Sequence, residues 1–593
     1  MKNLAFDKIK CKSGFWRFYK DLNRNDIVKN VYNRFKETGR FEALKCNWRE
    51  GDANKPHIFW DSDVVKWIEG VAYILEEAPC AELETLVDEM IDDIAENQSK
   101  DGYFNSYYLA IDPSKRFTDR GCHELYCLGH MIEAAVAYSK ATGKDKLLDV
   151  TLKYIDLVYR VFKEEQSAAF ITPGHEEIEL ALLKLYEYRG NKKHLELARF
   201  FIDMRGNNSV EKPENCIQTN KPVRALSEAV GHSVRACYLY TAMAMLAKAD
   251  KDEELKEACQ RLFSDITKKK MSITGGIGTD HDGEQFSYAY DIPNMDTYNE
   301  TCAAISLTMF AGAMQELEVN SNYGDIIERV LYNGFISGVS LDGAKFFYAN
   351  PLEIDRKKYE RSTYQVDCQR VAVFFCSCCP PNVTRMLASI MRYAYSTDDN
   401  KIYCNQFASS EARFIINGKA ATLTQTTDYP SNGKITFAYS GEPTTLFVRI
   451  PGWCVEYKGK TENGYASFQV SDGATITVDL PMEIHFIEAN PYVQDNSGRY
   501  AVQRGPLVYC MEEIDNGENL RDVTLIENSD VRIASESGIP APIIYIEAER
   551  RLPSTELYRI KDSERNKFTA RLIPYFSFAN RTPSDMIVWT MVK

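Results

Sequence analysis

No stretch of this 593-residue chain approaches the ~18 consecutive apolar residues that cross a bilayer. The opening Met1-Lys2-Asn3-Leu4-Ala5-Phe6-Asp7-Lys8 also lacks the apolar run of a signal peptide. A soluble, cytoplasmic protein with no membrane partner is therefore expected. Basic charge is in short supply as well: Lys+Arg total 71 against Asp+Glu 85, for a formal net charge of −14. Nucleic acid and anionic membranes want a basic surface, so neither is an expected partner. Histidine is scarce, with 8 in the chain, so any grouping of them carries information. What is abundant is core material: 44% of residues are hydrophobic and 12% aromatic, as in an ordinary folded protein. The length exceeds what one core usually supports, and two to four domains are expected. Cysteine is plentiful, 16 in all, mostly scattered through apolar helical text as at Cys237. In a reducing compartment such residues are small core side chains. Cys376, Cys378 and Cys379 differ, because they fall within four residues. Chain neighbours rarely bridge each other, so metal or thiolate chemistry enters.

Two textures divide the sequence. Up to about residue 395 apolar residues recur at helical spacing, as in 125–138, 178–188, 233–249, 303–317 and 383–395. Beyond about 400, short alternating runs lie between turn residues, as in 413–419, 445–450 and 475–480, and suggest β-sandwiches. A second β unit opens near Gly498. These textures give a helical domain over 8–395, a β-sandwich over 396–495 and a C-terminal β-sandwich over 496–593. In the helical part, unusual polar residues open helices at Asp61, His123, His175, His232, Glu300 and Cys379, in steps of 52 to 79 residues. Six helical hairpins in succession predict a closed ring, an (α/α)6 barrel, in which every inner helix starts at one rim and these residues converge. An open solenoid of the same hairpins would spread them along a groove.

Several groups carry chemistry. In Cys376-Ser377-Cys378-Cys379-Pro380-Pro381-Asn382 the prolines suit the first turn of a helix, which sets the cysteines at its mouth. A thiol there meets the positive end of the helix dipole, which favours thiolate. Upstream, Glu300 and Cys302 would diverge by about 200° on a regular helix and share one target only if the backbone before the helix is still extended. Glu300, Cys302, Cys378 and Cys379 together offer one carboxylate and three sulfurs, a set for tetrahedral Zn²⁺. Their spacing, with 76 residues between Cys302 and Cys378, is no zinc-finger pattern, and core cysteines at helix starts are the competing reading. His123, His175 and His232 lead their helices, which favours a shared lining role over three separate caps. His130, two turns beyond His123, reads as core, while His57, His194, His281 and His485 have no comparable context. The stretch Gly275 to Glu284 has no βαβ surroundings, so it is no dinucleotide site. It reads as a mobile loop delivering Glu284, with Phe286 and Tyr288, to the cavity mouth. Desolvation beside aromatics would favour a neutral carboxyl there, as a general acid requires; a solvated loop glutamate is the alternative.

The motifs together resemble the zinc-dependent, cysteine-nucleophile β-L-arabinofuranosidases, glycoside hydrolase family 127. The matching text runs through nearly the whole chain in order. It comprises Asp61-Ser62-Asp63-Val64-Val65-Lys66-Trp67, His123-Glu124-Leu125-Tyr126, Gly174-His175-Glu176-Glu177-Ile178-Glu179, Gly283-Glu284, Glu300-Thr301-Cys302-Ala303, Phe347-Tyr348-Ala349-Asn350-Pro351-Leu352 and Cys378-Cys379-Pro380-Pro381-Asn382. Arg449-Ile450-Pro451-Gly452-Trp453-Cys454 and Gln503-Arg504-Gly505-Pro506-Leu507-Val508-Tyr509 continue it in the β region. The resemblance implies an (α/α)6 barrel with two β-sandwich domains. It also implies Zn²⁺ held by Glu300, Cys302, Cys378 and Cys379. In it Cys378 is the nucleophile and Glu284 the general acid/base, while His123, His175, His232 and Tyr348 surround the sugar. The activity it implies is retaining, exo-acting release of β-L-arabinofuranose from a small oligosaccharide or glycoconjugate. The alternatives are another pectin-derived deoxy or branched pentose, a non-catalytic glycan-binding protein with structural zinc, and an epimerase or lyase acting on free sugars. The β domains brace the barrel or build a homodimer surface; their sequence shows no chemistry.

Overall fold

A computed structural model describes residues 1–359, 368–373, 376–552, 556–558, 560 and 564–593. Six helices form an inner ring: Trp60–Glu77, Glu124–Thr142, Ile178–Arg189, Ser233–Asp250, Thr301–Leu317 and Cys379–Ser389. Each packs on the next, and the last returns to the first. Their small and apolar residues point to all sides, which suits helices with neighbours all round. Outside them lie the amphipathic partners Val28–Glu37, Ala81–Asn97, Lys146–Val158, Lys192–Met204, Glu253–Asp265 and Ser321–Arg329, each burying one face. The closed contact from last to first is what a solenoid lacks, so the helical part is the (α/α)6 barrel.

Glycines set how closely the inner helices cross. A Cβ on Gly129 would meet Ile178 N at 2.8 Å and Glu177 C at 3.0 Å, and one on Gly70 would meet Thr384 Cγ2 at 2.6 Å. The obstruction at Gly129 is backbone and cannot swing aside. Gly129→Ala is therefore expected to destabilise the barrel by about 1–3 kcal/mol, the usual cost of overpacking, read as a lower thermal midpoint.

The last inner helix stops sooner than its apolar spacing predicts. It ends at Ser389, a tight turn spans Ile390–Tyr393, and Tyr395–Asp398 is a strand. The Tyr395 hydroxyl lies 2.8 Å from Ser410 Oγ and accepts from Gln425 Nε2 at 2.7 Å. Its apolar neighbours therefore fill a sandwich rather than a helical face. That sandwich faces two five-stranded sheets, one holding Tyr395–Asp398, Lys401–Cys404, Thr444–Arg449 and Tyr465–Val470, the other Ser410–Ile416, Lys419–Thr427, Lys434–Ser440 and Thr475–Asp479. The strands from Ile484 onward form a second β unit whose pairing runs round on itself, because Tyr500–Arg504 bonds both Leu507–Glu512 and Trp589–Val592.

Strand pairing crosses the boundaries drawn from texture in three places. Ile484–Glu488 pairs with Tyr500–Arg504, so the C-terminal unit begins before 496. Lys2–Asn3 and Ile9–Cys11 add edges to the two sheets of the sandwich, although they precede the first helix and Ile9–Cys11 falls inside 8–395. Glu353–Ile354 joins the C-terminal sheet from within the helical domain. Texture registers composition, whereas sheet membership depends on which backbone edge lies free. Among the described residues no helix is long and apolar enough to cross a membrane. A cavity of about 1010 Å³ lies where inner helices end, lined by Lys140, Lys184, Lys248, Glu187 and Glu316 among others. No predicted site residue lines it; they meet at the opposite end.

Candidate active site

Glu300 precedes its helix with φ/ψ of −58°/140°, extended as the sequence reading required, and Cys302 follows in the first turn. Cys378 stands just before Cys379–Ser389, whose first turn carries Pro380 and Pro381. These two helix starts are neighbours in the ring and bring the four groups together. Cys302 Sγ is 3.4 Å from Cys379 Sγ, and Cys378 Sγ is 3.7 Å from Cys379 Sγ. Glu300 Oε1 lies 3.5 Å from Cys378 Sγ and 3.6 Å from Cys379 Sγ. One ligand atom from each of the four falls within 4.8 Å of all the others. A tetrahedral ion with metal–sulfur bonds of about 2.3 Å spaces its sulfurs about 3.8 Å apart, so the donors stand close to the required positions. Glu300 Oε2 is buried with no hydrogen-bond partner, as a spare ligand atom would be.

The electrostatics agree with a cation site. Burial and the neighbouring Cys378 push Glu300 well above the usual carboxylate range, and burial with the adjoining thiols pushes Cys379 up. Burial also works to raise Cys302, but hydrogen bonds from the Cys378 and Cys379 thiols outweigh it and bring Cys302 down to about 6. Asn382 Nδ2 donates to Cys302 Sγ at 3.2 Å, favouring the same charge. A group that ionises one member while its neighbours hold their protons is what remains when like charges crowd without a counter-ion. A dication would displace those protons.

Asn382 itself is aimed from below. The buried Arg385 donates to Asn382 Oδ1 at 2.6 Å, Glu133 at 2.6 Å, Glu69 at 2.9 Å and the Tyr238 hydroxyl at 2.9 Å. That leaves the amide N–H₂ of Asn382 facing the sulfur. His130 belongs to this buried layer, 3.2 Å from Glu177, which agrees with its reading as core. Asp61, grouped in the sequence with the rim residues, has a structural task. It accepts from Ser106 N at 2.8 Å and Ser106 Oγ at 2.5 Å and pins the loop that begins the next hairpin.

Around the mouth the predicted sugar-lining residues form a continuous arc. His123 lies 5.8 Å from His175, and His175 lies 5.5 Å from His232, ring centre to ring centre. His232 Nε2 is 2.9 Å from Glu284 Oε2, and the Tyr298 hydroxyl donates to Glu284 Oε1 at 2.9 Å. Tyr298 stands 5.9 Å from Tyr348, whose hydroxyl is 3.2 Å from Cys378 Sγ. Carboxylate oxygens of Glu284 and Glu300 and a ring nitrogen of His232 all lie within 4.8 Å of one another. Glu284 thus borders the cysteine cluster across Glu300.

Burial favours the neutral form of these histidines, and their hydrogen bonds to the backbone select the tautomer. Burial, reinforced by Arg235, lowers His123 to about 4 and His175 and His232 in the same direction. His123 Nδ1 donates to Gly121 O at 2.7 Å and His175 Nδ1 to Glu176 O at 3.0 Å, so both turn a bare Nε2 elsewhere. His232 is the reverse. Its Nδ1 accepts from Val234 N at 3.2 Å, so the proton sits on Nε2 and points at Glu284.

Two expectations are corrected here. Burial does work to raise Glu284, but the hydrogen bonds from His232 and Tyr298 and the Arg235 charge outweigh it and hold the carboxyl below its usual range. The glycine-rich stretch is a packed wall rather than a mobile loop. Asn299 N donates to Gly278 O and Tyr298 N to Thr279 O, both at 3.1 Å, and a Cβ on Gly276 would strike the Asn299 side chain at 2.5 Å. Phe286 is buried, whereas Tyr288 is exposed. Sequence reasoning passed over Tyr298, Asn382, Arg385 and Lys66, a buried cation 2.5 Å from the Tyr126 hydroxyl. Lys66 and Asn382 lie inside the quoted motifs, and that was their signal.

Models of three domains match in sequence order. The β-L-arabinofuranosidase, GH127 catalytic domain matches residues 8–392, the GH127 middle domain 401–482 and the glycoside hydrolase family 127 C-terminal domain 484–591. The non-reducing end β-L-arabinofuranosidase of Bifidobacterium longum subsp. longum is 35% identical over 588 residues, which span 90% of this chain and 89% of that one. The crystal structure of a GH127 β-L-arabinofuranosidase from Geobacillus stearothermophilus T6 superposes with a TM-score of 0.94 at 39% identity, over 99% of this chain and 100% of the other. A GH127 β-arabinofuranosidase structure at 32% identity gives 0.91, over 100% and 98%.

Proposed function

The chain belongs to glycoside hydrolase family 127, the β-L-arabinofuranosidases, and from that premise we propose that it releases terminal β-L-arabinofuranose with retention, through Cys378 as nucleophile and Glu284 as acid/base. The observation that carries this reading is the meeting of Cys378 with Glu300, Cys302 and Cys379 at one rim of the barrel, with Glu284 beside Glu300. Retaining hydrolysis needs a nucleophile and a proton donor flanking the anomeric carbon. Cys378 attacks that carbon while Glu284 protonates the departing oxygen, and a thioglycosyl bond to Sγ forms as the glycosidic bond breaks. Glu284, now a carboxylate, takes a proton from the water that displaces Cys378. The charged form of Glu284 is already steadied by His232 and Tyr298, which suits this second step. A sugar seated in the mouth strips the remaining water from its side chain, 34% exposed, and so favours the acid needed for the first. The bare Nε2 atoms of His123 and His175 accept from sugar hydroxyls, and Tyr348 steadies the sulfur.

We assign Glu300, Cys302, Cys378 and Cys379 as ligands of Zn²⁺, for which their donor types and separations fit. Bound there, the ion favours thiolate at neutral pH and makes sulfur a better leaving group. Metal analysis of the purified protein is expected to return one zinc per chain, and Cys302→Ser to lower that content together with the thermal midpoint. Wild-type protein that is active and free of metal would refute the assignment.

A further inference from the structure

The reaction proposed above needs one sulfur of the cluster to bond carbon while the others stay in place, and the surroundings of the sulfurs differ. Cys378 is half-buried and meets the Tyr348 hydroxyl at 3.2 Å. Cys302 is buried, and among the described residues it alone of Cys302, Cys378 and Cys379 accepts a hydrogen bond from nitrogen, the 3.2 Å bond from Asn382 Nδ2. The chemistry of the neighbours fixes the direction of that amide. Arg385 Nε stands 2.6 Å from Asn382 Oδ1, and a guanidinium has no acceptor, so the amide oxygen faces Arg385 and the N–H₂ faces the sulfur. The amide nitrogen also lies 3.4 Å from the Tyr238 hydroxyl, which Arg385 Nη2 reaches at 2.9 Å.

Arg385 is held in turn from the far end of the barrel. Its Nη1 donates to both Glu69 and Glu133. Each of those carboxylates has its other oxygen engaged by a side chain that lines the cavity away from the site: the Tyr73 hydroxyl donates to Glu69 at 2.7 Å, and Lys184 donates to Glu133. Glu69, Glu133, Tyr238, Asn382 and Arg385 are all buried. Charge-assisted bonds in so dry a place are strong, and none can be broken without leaving a buried charge short of a partner. The effect at the sulfur follows. A hydrogen bond to a thiolate favours its charge, and a thiolate so steadied is the weaker nucleophile.

We propose that Asn382, aimed by Arg385, is a positioning residue that keeps Cys302 as a standing sulfur ligand and leaves Cys378 as the sulfur free to bond the sugar. The inference rests on the metal ligands and the nucleophile proposed above. The probe is Co²⁺ loaded in place of zinc, because its sulfur-to-metal charge-transfer bands report the electron density on the thiolates. Asn382→Leu keeps the size of the side chain and removes the donor. Its near-ultraviolet band is expected to move to longer wavelength, and its zinc affinity, read by competition with a chelator, to fall about 10–100-fold, the usual loss when the partner of a metal ligand is removed. Arg385→Lys keeps a cation beside Glu69 and Glu133 but loses the planar fork that reaches Asn382, and is expected to move the band the same way. A residue that served only the fold would lower the thermal midpoint and leave the band where it was. A band and an affinity unchanged in Asn382→Leu overturn the proposal, as does a band unchanged in Arg385→Lys. Wild-type protein that takes up neither Co²⁺ nor zinc overturns instead the metal assignment beneath it.

Discussion

Glu284→Gln slows hydrolysis of methyl β-L-arabinofuranoside by about 10²–10⁴-fold, the range a positioned proton donor contributes. The substitution keeps the shape of the side chain and removes its proton. Loss is expected to be far smaller on an aryl arabinofuranoside with an acidic phenol, whose leaving oxygen needs no proton, so the two substrates separate proton donation from misfolding. The pH profile carries a second readout. Hydrogen bonds from His232 and Tyr298 favour the charged carboxylate and hold Glu284 below its usual value. The first step needs the protonated form, so kcat/KM falls as pH rises through that lowered value. His232→Ala removes one donor, the carboxyl's pKa rises, and the alkaline limb moves to higher pH. A limb that stays in place would show that His232 does not set the proton affinity of Glu284.

Cys378→Ser is expected to lower kcat on either substrate on the order of 10⁴-fold, because an alkoxide is far harder to form than a thiolate and leaves less readily. The measurement is steady-state kinetics beside metal analysis of the same sample. A variant that retains its metal and loses turnover separates the nucleophile from a purely structural ligand. Equal, background rates for wild type and variant would instead favour a sugar-binding protein.

The ring was legible because six inner helices each open on a polar residue at one rim. His123, His175, His232, Glu300 and Cys379 stand out against apolar helical text. Asp61 shares the pattern and not the role, since a buried carboxylate that pins Ser106 looks the same in sequence as one facing a ligand. The cysteine cluster was legible for a local reason: Glu300 and Cys302 face one point only where the backbone is extended, and the chain satisfies this at Glu300. What escaped depends on long-range contact. The charge state of Glu284 is set by His232, 52 residues away, and by Tyr298, which a reading of local aromatic neighbours does not weigh. Asn382 is aimed at Cys302 by Arg385, which is anchored in turn by Glu69 and Glu133 from two other inner helices. The glycine-rich stretch looked loose because glycine frees a chain in isolation. Here the missing Cβ atoms let it press against Asn299 and Ser233 instead.

The most direct test of a sugar-bonding sulfur is peptide mass spectrometry after brief incubation with a slowly released β-L-arabinofuranosyl substrate or a matching electrophilic sugar. The expected result is one pentose on the peptide containing Cys378, absent from Cys378→Ser. A pentose on Glu284, on Cys376 or on no residue, in protein that is turning over, would contradict the mechanism proposed for this chain.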